Sequence, residues 1–151
     1  MYKHRSRGFT LIELLVVIAI IGVLSGVVLA SLNTARSKGN DAAIQSDLST
    51  VQTEAEIYYG GAGDNSYGAA VADCTTAGSL FADDPVIVKA IAGADSANGG
   101  GGVVCNSSGT AYAVSVVLSS DDTRSWCIDS TGGASKSTTA LGASVTCPAA
   151  N

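Results

Sequence analysis

The sequence predicts an α+β protein: a long N-terminal α-helix, transmembrane and then amphipathic, packed on a small antiparallel β-sheet domain. Three observations predict it. An apolar run extends from Phe9 to Leu32, with only Thr10, Glu13, Ser25 and Ser31 polar. A stripe at helical spacing follows, in which Ile44, Leu48, Val51, Ala55 and Tyr58 lie at steps of 4, 3, 4 and 3. Beyond a glycine cluster at Gly60-Gly61-Ala62-Gly63 the chain turns rich in Gly, Ala, Ser and Asp, with alternating strand patterns and all 4 cysteines.

The apolar run comes first. As a helix its 24 residues reach about 36 Å, enough to cross a bilayer core of about 30 Å. Lys3, Arg5 and Arg7 precede it, and Arg36 and Lys38 follow it. The larger count places residues 1–8 in the cytoplasm and the rest outside. Glu13 is the exception inside the run. A carboxylate there costs about 2.5–3.5 kcal/mol, so it marks a function with a partner to be found. The partner sought is a cation at the same depth, and the run holds none. A new amino terminus at Phe9, made by a cut after Gly8, supplies one. An ordinary secretory signal fits poorly, because its apolar core is about 7–15 residues long and its cleavage site follows that core. Here the run is longer and the junction lies before it.

The segment Arg7-Gly8-Phe9-Thr10-Leu11-Ile12-Glu13, with the apolar residues after it, resembles the class III signal of type IV pilins and type II secretion pseudopilins. The shared pattern is a short basic leader, Gly, Phe, and a Glu four residues later at the head of an apolar helix. The resemblance is close from residue 7 to about 32, looser to Tyr59, and one of general plan beyond. It implies the type IV pilin fold. It also implies cleavage after Gly8 by a prepilin peptidase and methylation of the Phe9 amine. The chain would then pass from the inner membrane, through the pilus assembly machinery, into an extracellular helical filament of copies of itself. In such a filament the Glu13 carboxylate meets the Phe9 amine of a neighbouring subunit. The implied organisation is a removed leader (1–8), a transmembrane and filament-core helix (9–32), its amphipathic half (33–59) and a disulfide-linked globular domain (60–151). Many family members carry a proline where this chain has Ala30, and their helix loosens just before it. Here any loosening rests on Gly22 and Gly26. The first reading is a major pilin. The alternative is a type II secretion pseudopilin, or a minor or DNA-uptake pilin, because all share the signal.

The second half of the helix is read from its stripe, which should lie against the sheet. Gly39-Asn40 interrupts the pattern, yet a continuous helix to Tyr59 is expected, stopped by the glycine cluster. Pro85–Ile91 reads as a short helix, with a strand as the alternative. Asn98-Gly99-Gly100-Gly101-Gly102 reads as a loop and lacks the strand–helix context of a phosphate-binding turn. Ala111–Leu118 alternates as a strand, and Arg124–Ile128 is its hairpin partner. If Leu118 pairs with Arg124, then Val116 meets Trp126, Val114 meets Ile128, and Cys127 lies opposite Ser115. A third strand is expected at Ala143–Cys147.

Cys74, Cys105, Cys127 and Cys147 all follow the membrane segment, which fits two disulfides formed in an oxidising compartment. Four cysteines allow three pairings. A straight strand separates Cys105 from the hairpin by about 33 Å, which disfavours Cys105–Cys127. Cys74–Cys105 and Cys127–Cys147 are preferred, and family members often carry a bridge near the C-terminus.

Composition excludes several chemistries. His4 is the only histidine and belongs to the leader, so triad and most zinc chemistry is absent from the processed chain. No enzyme activity and no cofactor are expected. With Lys3, Arg5 and Arg7 removed, five basic residues face 13 acidic ones, a net charge of −8 that argues against general nucleic-acid binding. Asp121, Asp122 and Asp129 lack calcium-loop spacing, and turn formation explains the first two, so no metal site is assigned. Asn106-Ser107-Ser108 matches a glycosylation acceptor pattern, one too common to assign a site.

Overall fold

The structure is a computed structural model that describes residues 8–151; positions 1–7 of the leader lie outside the described residues. It divides into two compact units, one ending at Arg36 and one spanning Ser37–Asn151. Helix α1 runs Leu11–Gly60. Helices α2 (Leu80–Asp83) and α3 (Pro85–Asn98) follow, then strands β1 (Val103–Ser107), β2 (Tyr112–Val117), β3 (Ser125–Asp129) and β4 (Ala134–Ser137). The strands form one antiparallel sheet in the order β1-β2-β3-β4.

Within the second unit, α1 buries the stripe that its periodicity announces: Ile44, Leu48, Val51, Ala55 and Tyr58. They share a core with Cys105, Tyr112, Val114, Val116 and Ile128 of the sheet, with Leu80 and Phe81 of α2, and with Ile87, Ala90, Ile91 and Ala94 of α3. Asp41 extends the stripe by one turn toward Gly39-Asn40. It is buried, and its carboxylate accepts from the Ser120 N–H at 3.1 Å and from the Ser120 hydroxyl. Asn40 Nδ2 donates to Ser119 Oγ at 3.3 Å. These bonds tie α1 to the β2–β3 loop, and the helix continues through the interruption.

Helix α3 is capped at both ends. Asp84 accepts from the Val86 and Ile87 N–H groups, and Pro85 occupies the first turn, where a missing N–H costs nothing. Gly99, left-handed at φ 99°, closes the C-terminus. The segment is therefore a helix twice as long as Pro85–Ile91.

The β2–β3 register is the one expected, with Val116 opposite Trp126, Val114 opposite Ile128 and Ser115 opposite Cys127. Two strand expectations need correction. Ala143–Cys147 is not a strand; the fourth strand is Ala134–Ser137, which pairs with β3 after a turn at Gly132. Segment 143–147 instead crosses the outer face of the sheet, held by side chains: Asn106 Nδ2 donates to the Gly142 and Ser144 carbonyls, both at 2.8 Å, and Asp129 accepts from the Cys147 N–H at 2.8 Å. Strand β1 has no counterpart in the sequence reading. Its chain doubles back at Ser108-Gly109, so Cys105 lies opposite Val114.

That reversal changes the argument about the cysteines. Distance along a straight strand does not separate Cys105 from Cys127; the two faces of the sheet do. Cys105 points into the inner core, while Cys127 joins Ala113, Leu141 and Cys147 in a smaller outer cluster. In the structure Cys74 is bonded to Cys105 and Cys127 to Cys147. The first bridge holds residues 71–74 along the edge of β1, where Val71 and Ser107 exchange backbone hydrogen bonds at 2.9 and 2.8 Å. An open strand edge is thereby covered.

Candidate assembly segment

The start of α1 is set by Thr10 and Glu13. Thr10 Oγ1 accepts from the Glu13 N–H at 3.3 Å, and Glu13 Oε2 accepts from the Thr10 N–H at 2.8 Å and the Thr10 hydroxyl at 2.7 Å. This is a reciprocal capping box. It satisfies helix-start donors and returns the carboxylate to the end of the helix where the dipole favours negative charge. Gly8 and Phe9 stay outside the helix, and Phe9 is 85% exposed. The Gly8-Phe9 bond therefore sits in non-helical chain ahead of the cap.

No cation of the described run faces Glu13, but the carboxylate does have a local partner. Thr10 supplies two donors to one carboxylate oxygen, although it supplies no positive charge. The Thr-x-x-Glu spacing is the sequence signal for this role.

From Leu11 to Leu32 every large apolar side chain is exposed, and none of the most apolar window is buried. Leu15, Val16, Ala19, Ile20, Val23 and Leu24 border one shallow apolar groove. A Cβ at Gly22 or Gly26 would meet nothing within 4 Å, and the helix runs through both and through Ala30 without interruption. Fully covering a Leu, Ile or Val side chain is worth about 1.5–3 kcal/mol. A helix with so many of them bare requires lipid or other helices around it. By length and composition it can cross a membrane.

The other candidate residues lie apart from this segment. Among the described residues no cluster of three or more His, Cys, Asp or Glu side chains is placed to hold a metal ion. Asp121 is in the β2–β3 loop, accepting from Thr123 and 3.5 Å from Arg124, whereas Asp129 closes the far end of β3. Both Asp129 oxygens are taken, by Thr131, Gly133 and Cys147. Burial alone would raise its pKa, but these donors together outweigh burial and hold the carboxyl below its usual range. Asn106 is buried and its Nδ2 donates to two carbonyls, so the glycosylation pattern there is closed to modification in the folded domain.

The profile of the prokaryotic N-terminal methylation motif matches residues 3–29. Over 55 residues the chain is 42% identical to the type IV wide pilus major component PilA4 of Thermus thermophilus, a match covering 36% of this chain and 42% of that protein. Over 56 residues it is 36% identical to the type II secretion system core protein G of Dickeya chrysanthemi, covering 37% of each. Against core protein G of Klebsiella pneumoniae it is 39% identical over 55 residues, 36% of this chain and 39% of that one. The chain thus spans about two fifths of the length of the curated relatives it matches. No solved structure matches it. The chain thus carries a prokaryotic N-terminal methylation signal ahead of its bare apolar helix and, over about 55 residues, is similar to a type IV pilus component and to type II secretion core proteins.

Proposed function

We propose that the chain is a structural subunit, the major pilin, of a type IV pilus, cleaved after Gly8 and methylated at the Phe9 amine. The observation that carries this reading is the uncovered helix from Leu11 to Leu32 with Glu13 in its first turn. Such helices dissolve in the bilayer one at a time and bury one another in a bundle. A head-to-tail interface that does not close produces a helical filament. The subunit waits in the inner membrane after processing by a prepilin peptidase, and the pilus assembly machinery moves it outward. Glu13 acts as the register device. Its Oε2 is held by Thr10, which leaves the charge uncompensated until the Phe9 amine of a neighbouring subunit arrives. The protein acts by assembly and not by catalysis.

Mass spectrometry of membrane and sheared fractions tests this. A mature chain beginning at methylated Phe9 and dominating the sheared material is the expected result. The same processed chain confined to the membrane would favour the pseudopilin or minor-pilin role, in keeping with the secretion-system proteins among the relatives. A chain still beginning at Met1 would refute processing altogether. Glu13→Ala should cut filament yield strongly while leaving the processed chain in the membrane, and a normal yield would remove the register role.

A further inference from the structure

A cleft of about 390 Å³ lies in the second unit between α3 and the start of β1. That is within the size of a ligand site, about 300–1,000 Å³. Phe81, Val88, Ile91 and Val103 give it apolar walls, and Thr75 and Asp95 are the polar side chains that line it. Val88 is exposed to solvent although it belongs to this lining.

Val103 also brings main-chain groups to the cleft. In an antiparallel ladder the N–H and C=O of one residue point to the same side, and every second residue repeats that direction. Ser107 exchanges both of its bonds with Val71, away from β2. Cys105 and Val103 therefore turn theirs to that side as well. At Cys105 the side is taken by Cys74, whose Cα lies 5.1 Å from that of Cys105. At Val103 no described residue pairs with either group, so the covering of the β1 edge stops short of its first residue.

Asp95 supplies a fixed charge. Its Oδ1 accepts from the Gly101 N–H at 2.7 Å, while its Oδ2 has no partner among the described residues. No base lines the cleft. Beyond Lys38 the chain carries twelve acidic residues against Lys89, Arg124 and Lys136, so its field attracts a basic ligand.

We infer that this cleft binds an extended basic peptide of another protein. One apolar residue of the peptide pairs its N–H and C=O with those of Val103, which adds a short strand to the uncovered end of the β1 edge. Directly opposite residues share a face of the sheet, so its side chain enters the cleft over Phe81 and Ile91. A Lys or Arg two positions along the peptide lies on the same face and meets Asp95. A small apolar molecule would leave the Val103 groups and Asp95 unused, and an acidic peptide would meet Asp95 with like charge. The site is separate from the apolar helix and stands whether or not the chain forms a filament.

The probe is the acetylated and amidated pentapeptide Thr-Leu-Thr-Lys-Thr, titrated into the full chain in zwitterionic nanodiscs and followed by amide and methyl NMR. Saturable shifts centred on the Val103 amide and the Val88, Ile91 and Val103 methyls are expected. Glutamate in place of the peptide's lysine should weaken binding by about fivefold or more. Asp95→Asn should do the same to the lysine peptide, since it keeps the acceptor for the Gly101 N–H and removes the charge. Val88→Arg, at an exposed position, should abolish binding while the rest of the spectrum stays unchanged. Absence of saturable shifts would overturn the inference, as would equal binding of the glutamate peptide. Equal affinity for N-acetyl-leucine amide alone would show an apolar cavity and no strand site, which also overturns it. Shifts at the same residues that grow with protein concentration, without peptide, would mean that a second copy fills the cleft, and the inference fails.

Discussion

Tyr112 fills the inner core between Tyr67, at a ring distance of 4.8 Å, and Phe81, at 6.5 Å, yet its hydroxyl has no partner among the described residues. An unsatisfied buried hydroxyl costs about 1–3 kcal/mol, whereas the apolar replacement of the same shape is neutral or better. Tyr112→Phe should therefore hold or raise the melting temperature in calorimetry; a clear drop would mean that the hydroxyl is satisfied by an internal water. Tyr67 differs, because its hydroxyl donates to Glu56 at 2.9 Å. Asp129 is the polar anchor of the outer face. Its folded pKa lies below the usual 3.8, so its stabilisation is complete above that value and is lost as pH falls through the folded value. Asp129→Ala should cost about 1–3 kcal/mol near neutral pH and progressively less under strong acid, read from urea unfolding at several pH values. The residue scale is where the sequence was least legible. The spacing Thr10-x-x-Glu13 could be read as a cap, but nothing local reveals that Asn106 and Asp129 hold the C-terminal segment, since their partners there lie 18 to 38 positions away.

At the scale of elements, legibility followed the strength of local pattern. The stripe on α1 and the β2–β3 hairpin each carry a period and a large apolar face, so their burial and register could be read directly. Strand β4 is Ala-Ser-Lys-Ser and β1 follows a glycine run; neither has a pattern strong enough to stand alone. Both exist because a neighbouring strand offers them a ladder. The segment 143–147 alternates convincingly and is no strand, because β4 already occupies the free edge of β3. The approach of α1 to α3 depends on Gly93. Gly93→Ala should destabilise the domain by about 1–3 kcal/mol through overpacking against Asp47, despite the better helix propensity of alanine. A rise in the melting temperature would show that the Asp47 side chain moves aside freely.

At the scale of the molecule, the second unit contains the entire core and both disulfides, while the first contains exposed apolar helix. A chain beginning at Ser37 should thus be soluble and unfold cooperatively, with circular dichroism showing both helix and sheet; a molten or aggregated product would refute that division. The bridges close 31 and 20 residues, and each should contribute about 3 kcal/mol. Reduction should lower the melting temperature of this domain markedly, and peptide mapping should recover Cys74 with Cys105 and Cys127 with Cys147.

By itself the sequence determined the apolar helix, the place of Glu13 near its head, the buried stripe and the central hairpin. Each rests on interactions within a few residues or on a repeating period, and such patterns survive in one dimension. Only the tertiary structure decided which strands flank the hairpin, which face each cysteine occupies and where the C-terminal segment lies. Those depend on which sheet edge is free and which buried polar groups need partners, conditions that exist only once distant parts of the chain have met.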